Sequence, residues 1–340
     1  MSKRILATPV LLSRKSLQKI VFALAAILFI SANLGHAQGL LGAVPPRTLN
    51  PDAGLSVILL GTGIPLPNAA RATACTAIIA GERVFLVDTG RNCVVSLAAA
   101  GLRRVDGIFY THYHSDHFIG LGEILLNLGI AGVDASIPVR GPIGAKEVVE
   151  GIIATYRLDL KYRLDHHGEK FSDNIMKPTV TEHEPGLVFD DKGLRVTMFK
   201  VCHPPIEPAV GYRFEYRGKI AAVSGDTQVC PDYAEGARGA DLLVSEAVNS
   251  QLFAPAQALV GRSNPRQAEM IAEGIEYHAD TLALATMAQE AGVKKLAITH
   301  LMPSIPPNDT AEAQFIQGMS ELYDGPIVVG RDGMEISLSD

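Results

Sequence analysis

The sequence predicts an α/β fold in which two layered β-sheets are covered by helices. Three observations point there. Short β-type runs recur from Leu55 to the C-terminus, helical patterns fall between only some of them, and the chemically distinctive side chains sit where strands end. Strands in hairpin-like series, interrupted by helices, are what layered sheets require.

The first series of strands is read at Ser56–Leu60, Thr76–Ala80, Arg83–Val87, Gly107–Tyr110 and Ile137–Arg140. The second is read at Arg195–Val201, Tyr212–Tyr216, Lys219–Ser224, Leu242–Ser245, Lys295–Thr299 and Pro326–Val329. Helical patterns cover Asn92–Ala100, Ile119–Leu128, Ala145–Tyr156, Pro265–Tyr277 and Thr281–Ala291. From Leu55 onward there is no second boundary, repeat or low-complexity stretch, so residues 55–340 are expected to form one domain. Residues 38–54, with Gly39, Gly42, Pro45, Pro46 and Pro51, read as a linker.

The first 37 residues are read differently. Lys3, Arg4, Arg14, Lys15 and Lys19 precede an apolar run from Ile20 to Ile30, followed by small and polar residues to Ala37. The run is shorter than the ~20 residues of a membrane span. It matches a secretory signal cleaved after Ala37, which predicts a periplasmic or secreted protein with no stable membrane association after cleavage. The chain has 30 basic and 36 acidic residues; losing five basic ones leaves 25 against 36, a net charge of -11. Nucleic-acid binding needs a positive field, so the charge argues against such a partner. Cys75, Cys93, Cys202 and Cys230 lie beyond Ala37. Four cysteines allow three pairings, and buried free thiols are as compatible with a domain this large.

The densest chemistry is Thr111-His112-Tyr113-His114-Ser115-Asp116-His117, on the turn leaving the strand Gly107–Tyr110. Alternation along an extended strand end points His112 and His114 to one side. Asp116 and His117 follow on the turn. Imidazole nitrogens with a carboxylate oxygen suit zinc, with manganese or iron as substitutes. Further ligand-type residues end other strands: His203 after Arg195–Val201, Asp226 after Ile220–Val223, and His300 after Lys295–Thr299. Polar groups at the mouths of apolar strands are costly unless something pairs with them. Asp88, in Leu86-Val87-Asp88-Thr89-Gly90, is placed to orient a ligand histidine. His166, His167 and His183 lie in polar stretches and are expected to face solvent.

At these residues the chain resembles the metallo-β-lactamase superfamily: His112 to His117, then His203, Asp226 and His300, with Leu86 to Gly90, occur in matching order. The resemblance covers nearly all of residues 55–305. It implies a four-layer αββα sandwich of two mixed β-sheets flanked by helices. It also implies two zinc ions, one held by His112, His114 and His203 and the other by Asp116, His117 and His300, with Asp226 between them. Leu60-Gly61-Thr62-Gly63-Ile64-Pro65 with Arg71, Ser245-Glu246-Ala247 and Tyr277-His278-Ala279-Asp280-Thr281 resemble the ribonuclease Z and bacterial arylsulfatase branch. By that match His278 contacts the leaving oxyanion and Glu246 orients it, while Asp116 or Asp226 holds the attacking hydroxide. Against this, His278 could merely cap the following helix and Glu246 could be a solvated acid.

The machinery serves many esters, so the fold does not name the substrate. Ribonuclease Z carries a basic tRNA-binding arm, and residues 118–202 show none, only single lysines among acids. The expectation is therefore an exported arylsulfatase-like hydrolase of small sulfate or phosphate esters, with nucleic acid an unlikely partner and homodimerisation suggested by the resemblance. A ribonuclease Z-like or cyclic-nucleotide phosphodiesterase activity stands second, ahead of a lactone or thioester hydrolase and a non-catalytic binding protein.

Overall fold

The computed structural model describes residues 44–338, so the N-terminal stretch read as a signal lies outside the described residues. The compact unit begins at Arg47. Residues 47–54 belong to it: Arg47 pairs with Glu335 at 2.6 Å, and Leu49 packs on the core.

The strands of the first sheet are β1 (Leu55–Gly61), β2 (Cys75–Ala80), β3 (Arg83–Val87), β4 (Gly107–Phe109), β5 (Pro138–Gly141), β6 (Thr179–Glu182) and the C-terminal β14 (Met334–Ser337). The second sheet holds β7 (Gly186–Asp191), β8 (Leu194–Lys200), β9 (Val210–Tyr216), β10 (Lys219–Val223), β11 (Leu242–Val248), β12 (Leu296–Met302) and β13 (Ile327–Val329). Their orders are β14-β1-β2-β3-β4-β5-β6 and β13-β12-β11-β10-β9-β8-β7. Each sheet is mixed: β14 to β3 and β7 to β10 pair antiparallel, whereas β3 to β6 and β10 to β13 pair parallel.

The interior strands are apolar on both faces because both faces are covered. Val57, Leu59, Ile78, Phe85 and Phe109 meet Val196, Met198, Tyr212, Phe214 and Val244 between the sheets. The alternate residues of the first sheet, such as Ile58, Leu60, Ile79 and Leu86, pack outward on α1 (Cys93–Ala99) and α3 (Leu121–Ile130). Near them lie α2 (Ser115–Phe118), α4 (Ala145–Thr155) and α5 (Arg157–His167). The outer face of the second sheet is covered by α6 (Pro231–Ala237), α9 (Thr281–Glu290) and α10 (Asp309–Phe315). A helix pair, α7 (Ser250–Gly261) and α8 (Pro265–Glu276), joins β11 to α9 and buries Phe253, Ile271 and Ile275 against Ile64 and Met302. The result is the αββα sandwich that the resemblance implies.

The sequence reading passes over β6, β7 and β14, and each is the edge of its sheet. Edge strands bury less and carry more polar residues, as in Thr179-Val180-Thr181-Glu182. It also passes over α2, α5, α6, α7 and α10. The helix α5 buries no residue completely, so it has no apolar stripe to detect, and α7 carries Pro255 in its interior. His166 and His167 consequently end a helix rather than lie in a loop, although both face solvent as expected.

Candidate metal centre

The centre forms where strands from both sheets end side by side. From the first sheet, β4 leads to His112 and His114, and the single turn of α2 carries Asp116 and His117. From the second, His203 follows β8 and Asp226 follows β10. His300 sits inside β12 at a bulge: Glu246 pairs with Thr299 and Ala247 with Leu301, so His300 is skipped. Its φ of 44° and that of Asp88, 60°, are left-handed values rarely held by residues with a side chain. Such strain persists where the surroundings enforce it, and both residues are at the site.

All the sequence-predicted ligands converge. One ligand atom each from His112, His114, His203 and Asp226 lies within 4.8 Å of the others, and so it is for Asp116, His117 and His300. Asp226 touches both groups, its Oδ2 lying 3.8 Å from His112 Nε2, 3.3 Å from His117 Nε2 and 3.5 Å from His300 Nε2. All seven are buried except His114, which is partly exposed.

The surroundings fix these rings. Asp88 accepts from Thr111 N at 2.9 Å and Thr111 Oγ1 at 2.8 Å, and lies 2.8 Å from His117 Nδ1. It therefore holds His117 with Nε2 turned inward, as the sequence suggested. His203 Nδ1 donates to the carbonyl of Tyr277 at 3.0 Å. Neither Thr111 nor Tyr277 was singled out in the sequence; a backbone carbonyl leaves no side-chain signal. Gly225 has φ +65°, and a Cβ there would stand 2.7 Å from Thr111 Cβ, so Ser224-Gly225-Asp226 needs its glycine to bring Asp226 in.

The electrostatics call for cations. Burial keeps His112 and His114 neutral by lowering their pKa, and lowers that of His203 to about 4. Burial also opposes charge on His117 and on Asp226, yet His117 is held well above its usual value by Asp226, Asp116 and Asp88. Asp226 is held well below by His300 and His117. Among the described residues these three carboxylates pair with histidines alone. Buried His117 Nε2 and Asp226 Oδ1 have no hydrogen-bond partner. A buried ring nitrogen and a carboxylate oxygen without hydrogen-bond partners, among clustered carboxylates that favour positive charge, fit a donor set for divalent ions, which would take the place of the proton on His117.

Beside the ligands, His278 Nδ1 lies 2.8 Å from Glu246 Oε1, which also accepts from the N–H of Thr227 and of Ala279. Glu246 is 1% exposed, so it is not a solvated acid. Asp280, not His278, caps α9. Burial disfavours a charged His278, but Glu246 outweighs it and raises the pKa to about 9. Two cavities flank the centre: one of about 740 Å³ walled by His203, and one of about 220 Å³ walled by Asp116.

The pattern of a beta-lactamase superfamily domain matches residues 83–301, and the chain belongs to that superfamily. It is 34% identical over 264 residues to the ribonuclease Z of Mycobacterium sp. (strain KMS), covering 76% of this chain and 88% of that protein. The human short-form tRNase Z superposes with a TM-score of 0.59 at 22% identity, covering 84% of this chain and 100% of that one. The metallo-beta-lactamase fold protein YhfI from Bacillus subtilis gives 0.59 at 18% identity, covering 83% and 98%. The fold and the clustered histidines and aspartates mark a binuclear metal site, and the protein is a metal-dependent hydrolase of ester bonds.

The sequence relative overturns the expected substrate. Its name, ribonuclease Z, opposes both the arylsulfatase-like reading and the exclusion of nucleic acid. The physical reason is that net charge sums the whole surface and does not report the cleft, where metal ions, when bound, would be the largest local charges.

Proposed function

We propose that the chain is a two-metal hydrolase of RNA phosphodiester bonds, of the ribonuclease Z type, with zinc as its metal. The observation that carries this is the 34% identity to a ribonuclease Z over 88% of that protein's length, together with a buried ligand set that has no gap. In this reading His112, His114 and His203 would hold one ion and Asp116, His117 and His300 the other, with Asp226 within reach of both. Bound there, two divalent ions would supply Lewis acidity for activating a water and offsetting charge on the phosphoryl oxygens.

The remaining work belongs to the chain's own groups. Asp88 and the Tyr277 carbonyl keep His117 and His203 in the tautomers that present Nε2. Asp116 accepts a hydrogen bond from the attacking water. His278, kept protonated by Glu246, faces the leaving ribose oxygen and gives it a proton. The zinc-loaded chain should cut an unprocessed tRNA transcript and hydrolyse bis-p-nitrophenyl phosphate while leaving p-nitrophenyl sulfate intact. Turnover of the sulfate alone would overturn the reading.

The basic and apolar N-terminus is proposed as a secretory signal. The pairing of all four cysteines, Cys75 with Cys93 and Cys202 with Cys230, supports an oxidising compartment. Fractionation of cells expressing the C-terminally tagged full chain tests it; a full-length product retained in the cytoplasm would count against export.

A further inference from the structure

Among the described residues the 220 Å³ cavity beside Asp116 is lined by a single cation, Arg91, and none of the chemistry above uses it. The Arg91 guanidinium makes only two long contacts, both 3.5 Å to the Pro65 carbonyl, and no carboxylate pairs with it among the described residues. Glu123 lines the same cavity yet is exposed and unpaired with it.

The backbone of Arg91 is nonetheless tied to the metal ligand. Its N–H donates to Thr73 Oγ1 at 2.7 Å, Thr73 Oγ1 donates to the Asp116 carbonyl at 2.8 Å, and Thr73 N donates to the Arg91 carbonyl at 3.1 Å. Gly90 lets the two loops touch, for a Cβ there would stand 2.3 Å from Asp116 O. The backbone of Arg91 is thus fixed beside the Asp116 turn, and its guanidinium, with two long contacts to Pro65, keeps donors free for a ligand.

The geometry points to Arg91 as the subsite for a phosphate of the RNA chain adjoining the one being cleaved; this rests on the RNA reading. A guanidinium fork matches two phosphate oxygens, and a cavity with Asp116 in its wall sets that phosphate on the Asp116 side of the centre. An ester with a single phosphate has nothing to put there.

The test uses the zinc-loaded full chain as wild type, Arg91→Gln and Arg91→Lys. The substrates are a short labelled oligoribonucleotide and bis-p-nitrophenyl phosphate, with kcat and KM measured across a range of salt concentrations. Arg91→Gln should raise KM for the RNA about tenfold, with a smaller loss on the diester. It should also make the slope of log kcat/KM against log salt shallower by about 0.7, the signature of one lost phosphate contact on a single strand. Arg91→Lys should retain most of that slope. Equal losses on both substrates, with slopes unchanged in either variant, would overturn the assignment alone. A wild type that hydrolyses the diester but no RNA would overturn the RNA reading and the subsite with it.

Discussion

Among the described residues Asp226 is the side chain that touches both ligand groups, and its removal should show in both metal count and rate. Asp226→Ala is expected to lower bound metal from two ions per chain toward one and kcat by about a hundredfold or more. Elemental analysis of the purified variant and its rate on bis-p-nitrophenyl phosphate check this. His278→Ala should behave differently: metal content stays at two, and kcat falls by about 10²–10⁴-fold, most steeply for esters with poor leaving groups. Glu246 raises the pKa of His278, so the proton donor is present below that pKa and lost above it. Glu246→Gln should therefore move the basic limb of the kcat profile to lower pH, read from rates between pH 6 and 10. The ligands were legible in the sequence because few side-chain types, chiefly histidine, carboxylate and cysteine, do this work, and here histidines and aspartates fall where strands end. Tyr277 and Thr111 were not, because a carbonyl or a hydroxyl next to a ligand is supplied by many residues. Arg91 was missed for a related reason: its position beside Asp116 exists only through tertiary bonds between loops, among them the Thr73 bridge.

The elements that carry the site are held by covalent ties as well as by packing. Cys202 precedes His203 and Cys230 opens α6 four residues after Asp226, so their disulfide links the two second-sheet ligand loops. Cys75 and Cys93 likewise bracket the loop bearing Asp88, which anchors His117. Each bridge closes a chain segment of 18 or 28 residues, and by loop entropy is worth about 3 kcal/mol. Cys230→Ser should lower Tm by several degrees and weaken metal retention more than Cys93→Ser, because it frees two ligand loops rather than one supporting loop. Calorimetry with a chelator titration measures both. The reading of elements from sequence succeeded for β1 to β5 and β8 to β13, most of them strands whose apolar residues crowd both faces and one of them, β13, an edge whose Ile327-Val328-Val329 run is apolar enough to show. It failed at β6, β7 and β14, since an edge strand is distinguished from a loop by its neighbour rather than by its composition.

At the scale of the whole molecule, the fold was readable and the substrate was not. Strand series and ligand order are local patterns that accumulate along the chain, whereas the choice of ester depends on a cleft assembled from distant segments. The surface charge of -11 expected after signal removal pointed away from RNA because it averages over regions that never meet a substrate. Metal removal should act globally, since the centre draws His112 to His117 from one sheet and His203, Asp226 and His300 from the other. With free metal a thousandfold above Kd, each site adds about 4 kcal/mol to the folded state. Chelation should therefore lower Tm markedly and in proportion to metal lost; a chelated chain melting at the holo temperature would refute that linkage.

The division of ligands between the two sheets has a practical corollary. A chain in which only one half has formed offers no complete pocket, because the first half lacks His203 and His300 and the second lacks His112, His114, Asp116 and His117. A full complement of two ions per chain would therefore require both halves to have docked. The metal stoichiometry of a preparation thus counts its fully assembled molecules, independently of any assay of what they cut.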